Sequence, residues 1–147
     1  MSTHPITDRQ RSLIDASFKQ VEPIADQAAE LFYDRLFTLD PTVRSMFPTD
    51  MSEQRRKLML ALGALVMSLN DLDAVLKMLG RLGERHVQYG VEPHHYDVVG
   101  EALLWTLAQG LGDAFDAETE AALTTLYGVI SDVMCEASER TVVRLSA

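Results

Sequence analysis

Apolar residues recur along this chain at helical spacing. Val75, Leu79, Leu82 and His86 fall at i, i+4, i+7 and i+11, on one face of a helix that Gly90 and Pro93 stop just beyond the histidine. Upstream, Thr7 with Gln10 three residues on reads as a capping box, and Leu13, Ile14, Ala16, Phe18 and Val21 form the inner face of a first helix that Pro23 interrupts. A second helix is predicted over about 24–38, carrying Ala28, Ala29, Leu31, Phe32, Tyr33, Leu36 and Phe37. Asp40-Pro41 restarts a short helix that ends near Phe47-Pro48. After the loop PTDMS, Ser52 is the expected cap of a helix reaching about Leu69, with Gln54, Leu58, Ala61 and Leu65 as its inward line. Asn70 to Asp73 reads as a turn, and the His86 helix then runs over about 73–89.

Pro93 opens a long helix with the stripe Tyr96, Val99, Gly100, Leu103, Leu104, Leu107 and Leu111, which Gly112 ends. Asp116 caps the last helix, whose stripe is Leu123, Leu126, Tyr127, Ile130, Val133, Met134 and Ala137. Alternating apolar and polar runs are missing, as are repeats and linkers. The prediction is an all-α chain of about seven helices forming one domain over 1–147, with residues 1–6 as a flexible N-terminal end.

Composition narrows the function classes. The formal net charge of −9 excludes a basic nucleic-acid footprint and argues against an anionic membrane surface. No run approaches the roughly 20 apolar residues of a membrane span, and the polar start MSTHPITDRQ shows no signal peptide, so a cytoplasmic protein is expected. Cys135 is the only cysteine, which removes internal disulfides and cysteine metal clusters and leaves a small buried apolar side chain as the plain reading.

Candidate chemistry starts with His86. A lone histidine on an apolar face is more often a core residue bonded to a carbonyl, but neutral imidazole is also the usual axial ligand of haem. Gln54 at the head of an inward line is commonly just the solvated end of a helix. Tyr33 is commonly a packed ring with its hydroxyl at the surface, and Phe47 an ordinary core plug. His94 and His95, at a helix start beside Pro93, read as solvated, and His4 lies in the N-terminal end. Together with His86 they raise a zinc site, but no carboxylate or cysteine completes a recognisable ligand spacing. No Gly-rich phosphate loop and no Ser/His/Asp arrangement is present.

Four segments carry a family resemblance: LFYDRLFTLDPTVRSMF (31–47), QRRKL (54–58), HVQYGVEPHHYDVVGEALL (86–104) and LYGVISDVM (126–134). The third is the most specific: a histidine, a short GV-x-P turn, then a tyrosine and VGE-x-LL opening the next helix. Through these segments the chain resembles the bacterial single-domain globins of the Vitreoscilla-haemoglobin type and the globin domain of flavohaemoglobins. The resemblance implies the globin fold around a buried haem b, with helices crossing at about 50°. It implies His86 as proximal iron ligand, Tyr33 and Gln54 as distal donors, and Leu58 one turn further in the distal pocket. It further implies Phe47 flat on the haem, Lys57 at a propionate, Tyr96 on the proximal side, and Val91 and Val99 lining the haem.

The same resemblance implies reversible binding of oxygen, nitric oxide and carbon monoxide, with nitric oxide dioxygenation or, alternatively, oxygen storage and delivery to respiration. A haem-free globin-like sensor domain is a third reading, against which His86 and Phe47 both count. The sequence leaves a homodimer open. Two departures matter. The flavohaemoglobin pattern places a glutamate against the proximal histidine where this chain, counted from Tyr127, has Ser138. Glu136 and Glu139 flank it, but at about 100° per residue neither shares its direction. A neutral proximal histidine is therefore expected, suited to holding oxygen more than to splitting it. No Gly-rich nucleotide fingerprint follows before Ala147, so redox turnover is expected to need a separate NAD(P)H-dependent reductase.

Overall fold

A computed structural model describes residues 5–146, with side chains to 142. Six α-helices follow one another: α1 Asp8–Val21, α2 Ala25–Leu39, α3 Ser52–Met67, α4 Leu72–Gln88, α5 Pro93–Leu111 and α6 Ala117–Ser146. No strand occurs among the described residues. The proline break becomes a single 3-10 turn over Glu22–Ile24, and the short helix after Asp40 winds as 3-10 turns over Pro41–Met46. There Asp40 accepts hydrogen bonds from the Thr42 amide at 3.1 Å and the Thr42 hydroxyl at 2.5 Å. Residues 1–4, with His4, lie outside the described residues, whereas Ile6 is 2% exposed and packs in the core.

The helix starts follow local chemistry. Thr7 and Gln10 close the expected capping box at 3.1 and 3.0 Å. Asp116 accepts from the Thr119 amide at 2.8 Å, as its place before α6 predicts. Ser52 does not cap α3. It is the first helical residue, and its own amide donates to Asp50 at 3.0 Å, holding that carboxyl below its usual range. Gly112 ends α5 with φ 55°.

Helix packing is uneven. α4 lies along α6, α2 lies along α5, and α1 packs on α6, while α3 rests mainly on α2 and α1. Gly83 and Gly100 allow α6 its close approach. A Cβ at Gly83 would stand 2.5 Å from the Met134 carbonyl oxygen, and one at Gly100 would stand 2.5 Å from the Tyr127 ring. The core forms two apolar clusters. The first joins α1, α4, α5 and α6 and takes in Val75, Leu79, Leu123 and Met134. The second joins α2, the 41–46 turns and part of α5 around Phe32, Tyr33, Leu36 and Val43.

Candidate functional site

The stripe of α4 places Val75 and Leu79 in the core, at 3% and 1% exposed, and brings His86 to the half-buried end of the same face. His86 Nδ1 lies 2.6 Å from the Leu82 carbonyl oxygen. A carbonyl can only accept, so Nδ1 carries the proton and Nε2 keeps its lone pair. Nε2 has no hydrogen-bond partner among the described residues. Burial pushes the His86 pKa down, against the opposing pull of the Leu82 bond. The ring is thus neutral and presents one free nitrogen. The helix end is held by the turn beyond it: the Val91 amide donates to the His86 carbonyl at 3.0 Å, with Gly90 at φ 85°.

Behind α4, Ser138 donates its hydroxyl to the Gly83 carbonyl at 3.0 Å, so it does face the histidine helix. Glu136 turns outward and pairs with Arg140 at 3.2 Å, and Glu139 is also exposed. Among the described residues no carboxylate bonds His86, whose Nδ1 bonds backbone instead. Tyr96 is 6% exposed and its hydroxyl is buried without a hydrogen-bond partner. Burial raises the Tyr96 pKa; Ser138 is near enough to favour the ionised form, but its hydroxyl is already committed to Gly83. The Tyr96 carbonyl accepts from the Tyr127 hydroxyl at 2.5 Å, tying α5 to α6.

Tyr33 and Gln54 meet on the other side. Tyr33 is 5% exposed, and its hydroxyl oxygen accepts from Gln54 Nε2 at 3.1 Å. The tyrosine proton has no acceptor among the described residues, so it is available to a guest. Burial raises the Tyr33 pKa and the Gln54 bond partly offsets this, which keeps the phenol protonated as a donor. Phe47 sets its ring against Tyr33, with centroids 5.5 Å apart. Leu58 and Val99 pack in the same cluster, joined by Val98 and Leu103.

Val91 and Leu82 belong to the opposite cluster with Tyr96. Lys57 is exposed. Sequence reading overlooked Arg44, which donates to the carbonyls of Phe47, Pro48 and Thr49 at 3.3, 2.9 and 3.2 Å and so fixes the loop that carries Phe47. Its place three residues before Phe47 was the available signal.

Between these two sides the packing is open. Among the described residues α3 and α4 make no extensive contact, and α4 leans on α6 alone. Leu58, Met59, Leu62, Leu82, Val99 and Leu103 stay half-buried although apolar. Phe32, Leu58 and Leu103 also line an apolar cavity of about 70 Å³ that continues inward to Tyr127 and Ile130. Half-buried aliphatic side chains suit a large flat apolar group as a neighbour, while the 70 Å³ cavity itself is lined by none of His86, Tyr33 and Gln54. A free imidazole nitrogen belongs to one side and a paired phenol and amide to the other.

A family model described as Globin matches residues 30–134. The chain is 30% identical over 132 residues to the flavohemoprotein of Deinococcus radiodurans, covering 88% of this chain and 33% of that protein. It thus spans about a third of the length of the flavohemoproteins it matches. It is 28% identical over 139 residues to neuroglobin of Tetraodon nigroviridis, covering 85% of this chain and 87% of that one. Among solved structures, a hexacoordinated heme protein from an anhydrobiotic tardigrade superposes with a TM-score of 0.84 at 19% identity, over 92% of this chain and 97% of that one.

Proposed function

The chain belongs to the globin family, and from that premise we propose that it holds haem b in the cleft between α3 and α4 and binds oxygen, nitric oxide and carbon monoxide there. The observation that carries this reading is the His86 tautomer: Nδ1 is spent on the Leu82 carbonyl and Nε2 is free to ligate iron. When bound, haem supplies an iron whose second face takes a diatomic gas and can let oxygen and nitric oxide combine to nitrate. Every other part of the account belongs to the protein.

His86 holds the group from the α4 side as a neutral ligand. Phe47, Val91, Val99 and Leu58 would give it apolar walls, Lys57 would supply a cation for a propionate, and Tyr96, which clusters with Leu82 and Val91, would belong to the histidine side. Tyr33 donates its hydroxyl proton to a partly negative guest, and Gln54, by donating to the phenol oxygen, strengthens that donor and keeps it aimed. The aliphatic walls exclude water, which makes both bonds stronger than they would be in solvent. Converting oxygen and nitric oxide to nitrate would consume one electron per turnover, which a separate NAD(P)H-dependent reductase in the cytoplasm would supply.

Oxygen carriage for respiration is the second reading. It is favoured by Ser138, which gives its hydroxyl to Gly83 and brings no negative charge to His86.

On the haem-loaded ferrous protein, Tyr33→Phe removes a bond of about 1–1.5 kcal/mol and is expected to raise the oxygen dissociation rate about tenfold. Gln54→Leu should raise it less. If neither changes the rate, the distal assignment is wrong. Steady-state nitric oxide consumption with a reductase supports dioxygenation, and a stop after one turnover supports carriage. A chain that takes up no haem would point to the sensor reading.

A further inference from the structure

Asp40 closes α2 and opens the 41–46 turns, and His94 and His95 sit in the first turn of α5. The fold brings the three together: a ligand atom from each lies within 4.8 Å of the others. The two imidazole rings lie against each other, with centroids 4.1 Å apart and planes tilted by 46°. We propose that Asp40, His94 and His95 form a surface site for a borderline divalent ion, Zn²⁺ being the simplest probe.

The donor set selects the metal class. Two imidazoles and a carboxylate suit Zn²⁺, Ni²⁺ or Cu²⁺ and are poor for Mg²⁺ or Ca²⁺, which want oxygen. Asp40 and His94 each have a free atom, and His95 gains one by exchanging its tautomer. Asp40 spends Oδ1 on Thr42 and keeps Oδ2. His94 Nδ1 faces Glu92 Oε2 at 3.4 Å, the carboxylate–histidine arrangement that orients a ligating ring, and leaves Nε2. His95 Nδ1 accepts from the Glu92 amide at 2.8 Å, so the metal-free ring carries its proton on Nε2. Ligation through Nε2 moves that proton to Nδ1 and gives up the capping bond.

The approach needed is small. Bonds of about 2.0–2.1 Å in a tetrahedron put donors roughly 3.3 Å apart, and the exposed His94 ring can swing that far. The N-terminal end of α5 repels a cation, but the Asp40 and Glu92 carboxylates outweigh a half-charge dipole. Water would complete the coordination.

The test is Zn²⁺ titration of the full-length protein by calorimetry at pH 7.5, repeated with Asp40→Asn, His94→Ala and His86→Ala. One ion per chain is expected, with affinity falling at least tenfold in Asp40→Asn and in His94→Ala and unchanged in His86→Ala. Far-ultraviolet dichroism of each variant checks folding. If a variant misfolds, imidazole ¹⁵N shifts of the wild type decide: selective movement of His94 and His95 supports the site. No binding, or binding as tight as the wild type's in both ligand variants, overturns it, as does loss of binding in His86→Ala alone.

Discussion

The two helices nearest the proposed haem are built in opposite ways. α4 is pressed onto α6, with Leu79 at 1% exposed, Ala137 at 1%, and a backbone approach at Gly83 too close for any side chain. α3 carries Leu60 at 59% and Met67 at 84% exposed, and most of its remaining apolar residues are half-buried. A histidine that ligates a metal must be held in position, and α4 receives that hold from α6, where Gly83 meets Met134 and Ala137. A wall that admits a guest must be able to give, and α3 has little behind it. The cleft is therefore one fixed side facing one compliant side, and the fixed side carries the metal ligand.

Substitutions at the glycine contact should break this contrast most sharply. Gly83→Val would drive a branched side chain into the Met134 carbonyl and is expected to cost about 3 kcal/mol or more in chemical denaturation. Gly100→Ala meets the edge of the Tyr127 ring, a side chain that can yield, so a smaller loss of about 1–2 kcal/mol is expected, largely relieved in Gly100→Ala with Tyr127→Leu. On the compliant side, Met67→Gln should move stability by no more than about 0.5 kcal/mol. Equal losses at Gly83 and Met67 would show that the two helices are not differently held.

Acid sharpens the same picture. Burial holds the His86 pKa below the ordinary histidine value of about 6.5 in the folded metal-free protein. Below that value the unfolded chain binds a proton that the folded chain resists, so stability falls as pH drops from about 6.5 until the folded ring also titrates. Comparing the pH dependence of unfolding for the wild type and His86→Gln should show this slope lost in the variant.

Much of the fold was legible because it rests on period and caps. The Val75–His86 stripe, the Thr7 box, and Gly112 and Asp116 at their helix boundaries all depend on neighbours close in sequence. Counting residues along α6 was enough to turn Ser138 towards α4, because a helix keeps its angle. What period cannot supply is which helix end meets which. Asp40 beside His94 comes from the packing of α2 on α5, and no local spacing announces it. Nor could sequence show that α3 starts one residue earlier than a Ser52 cap requires, because the loop puts Met51 at the cap position and turns the Ser52 amide to Asp50. The winding of 41–46 as 3-10 turns was hidden for a related reason, since its Asp-Pro start suits either helix.

The central claim is that His86 Nε2 is the protein's bond to iron. Its most direct measurement is the absorption spectrum of the ferrous protein reconstituted with haem, for the wild type and for His86→Ala with and without free imidazole. The account predicts one haem per chain in the wild type with a histidine-ligated ferrous spectrum, loss of that spectrum in the variant, and its return when imidazole fills the vacated space. A variant whose spectrum matches the wild type without imidazole would contradict it.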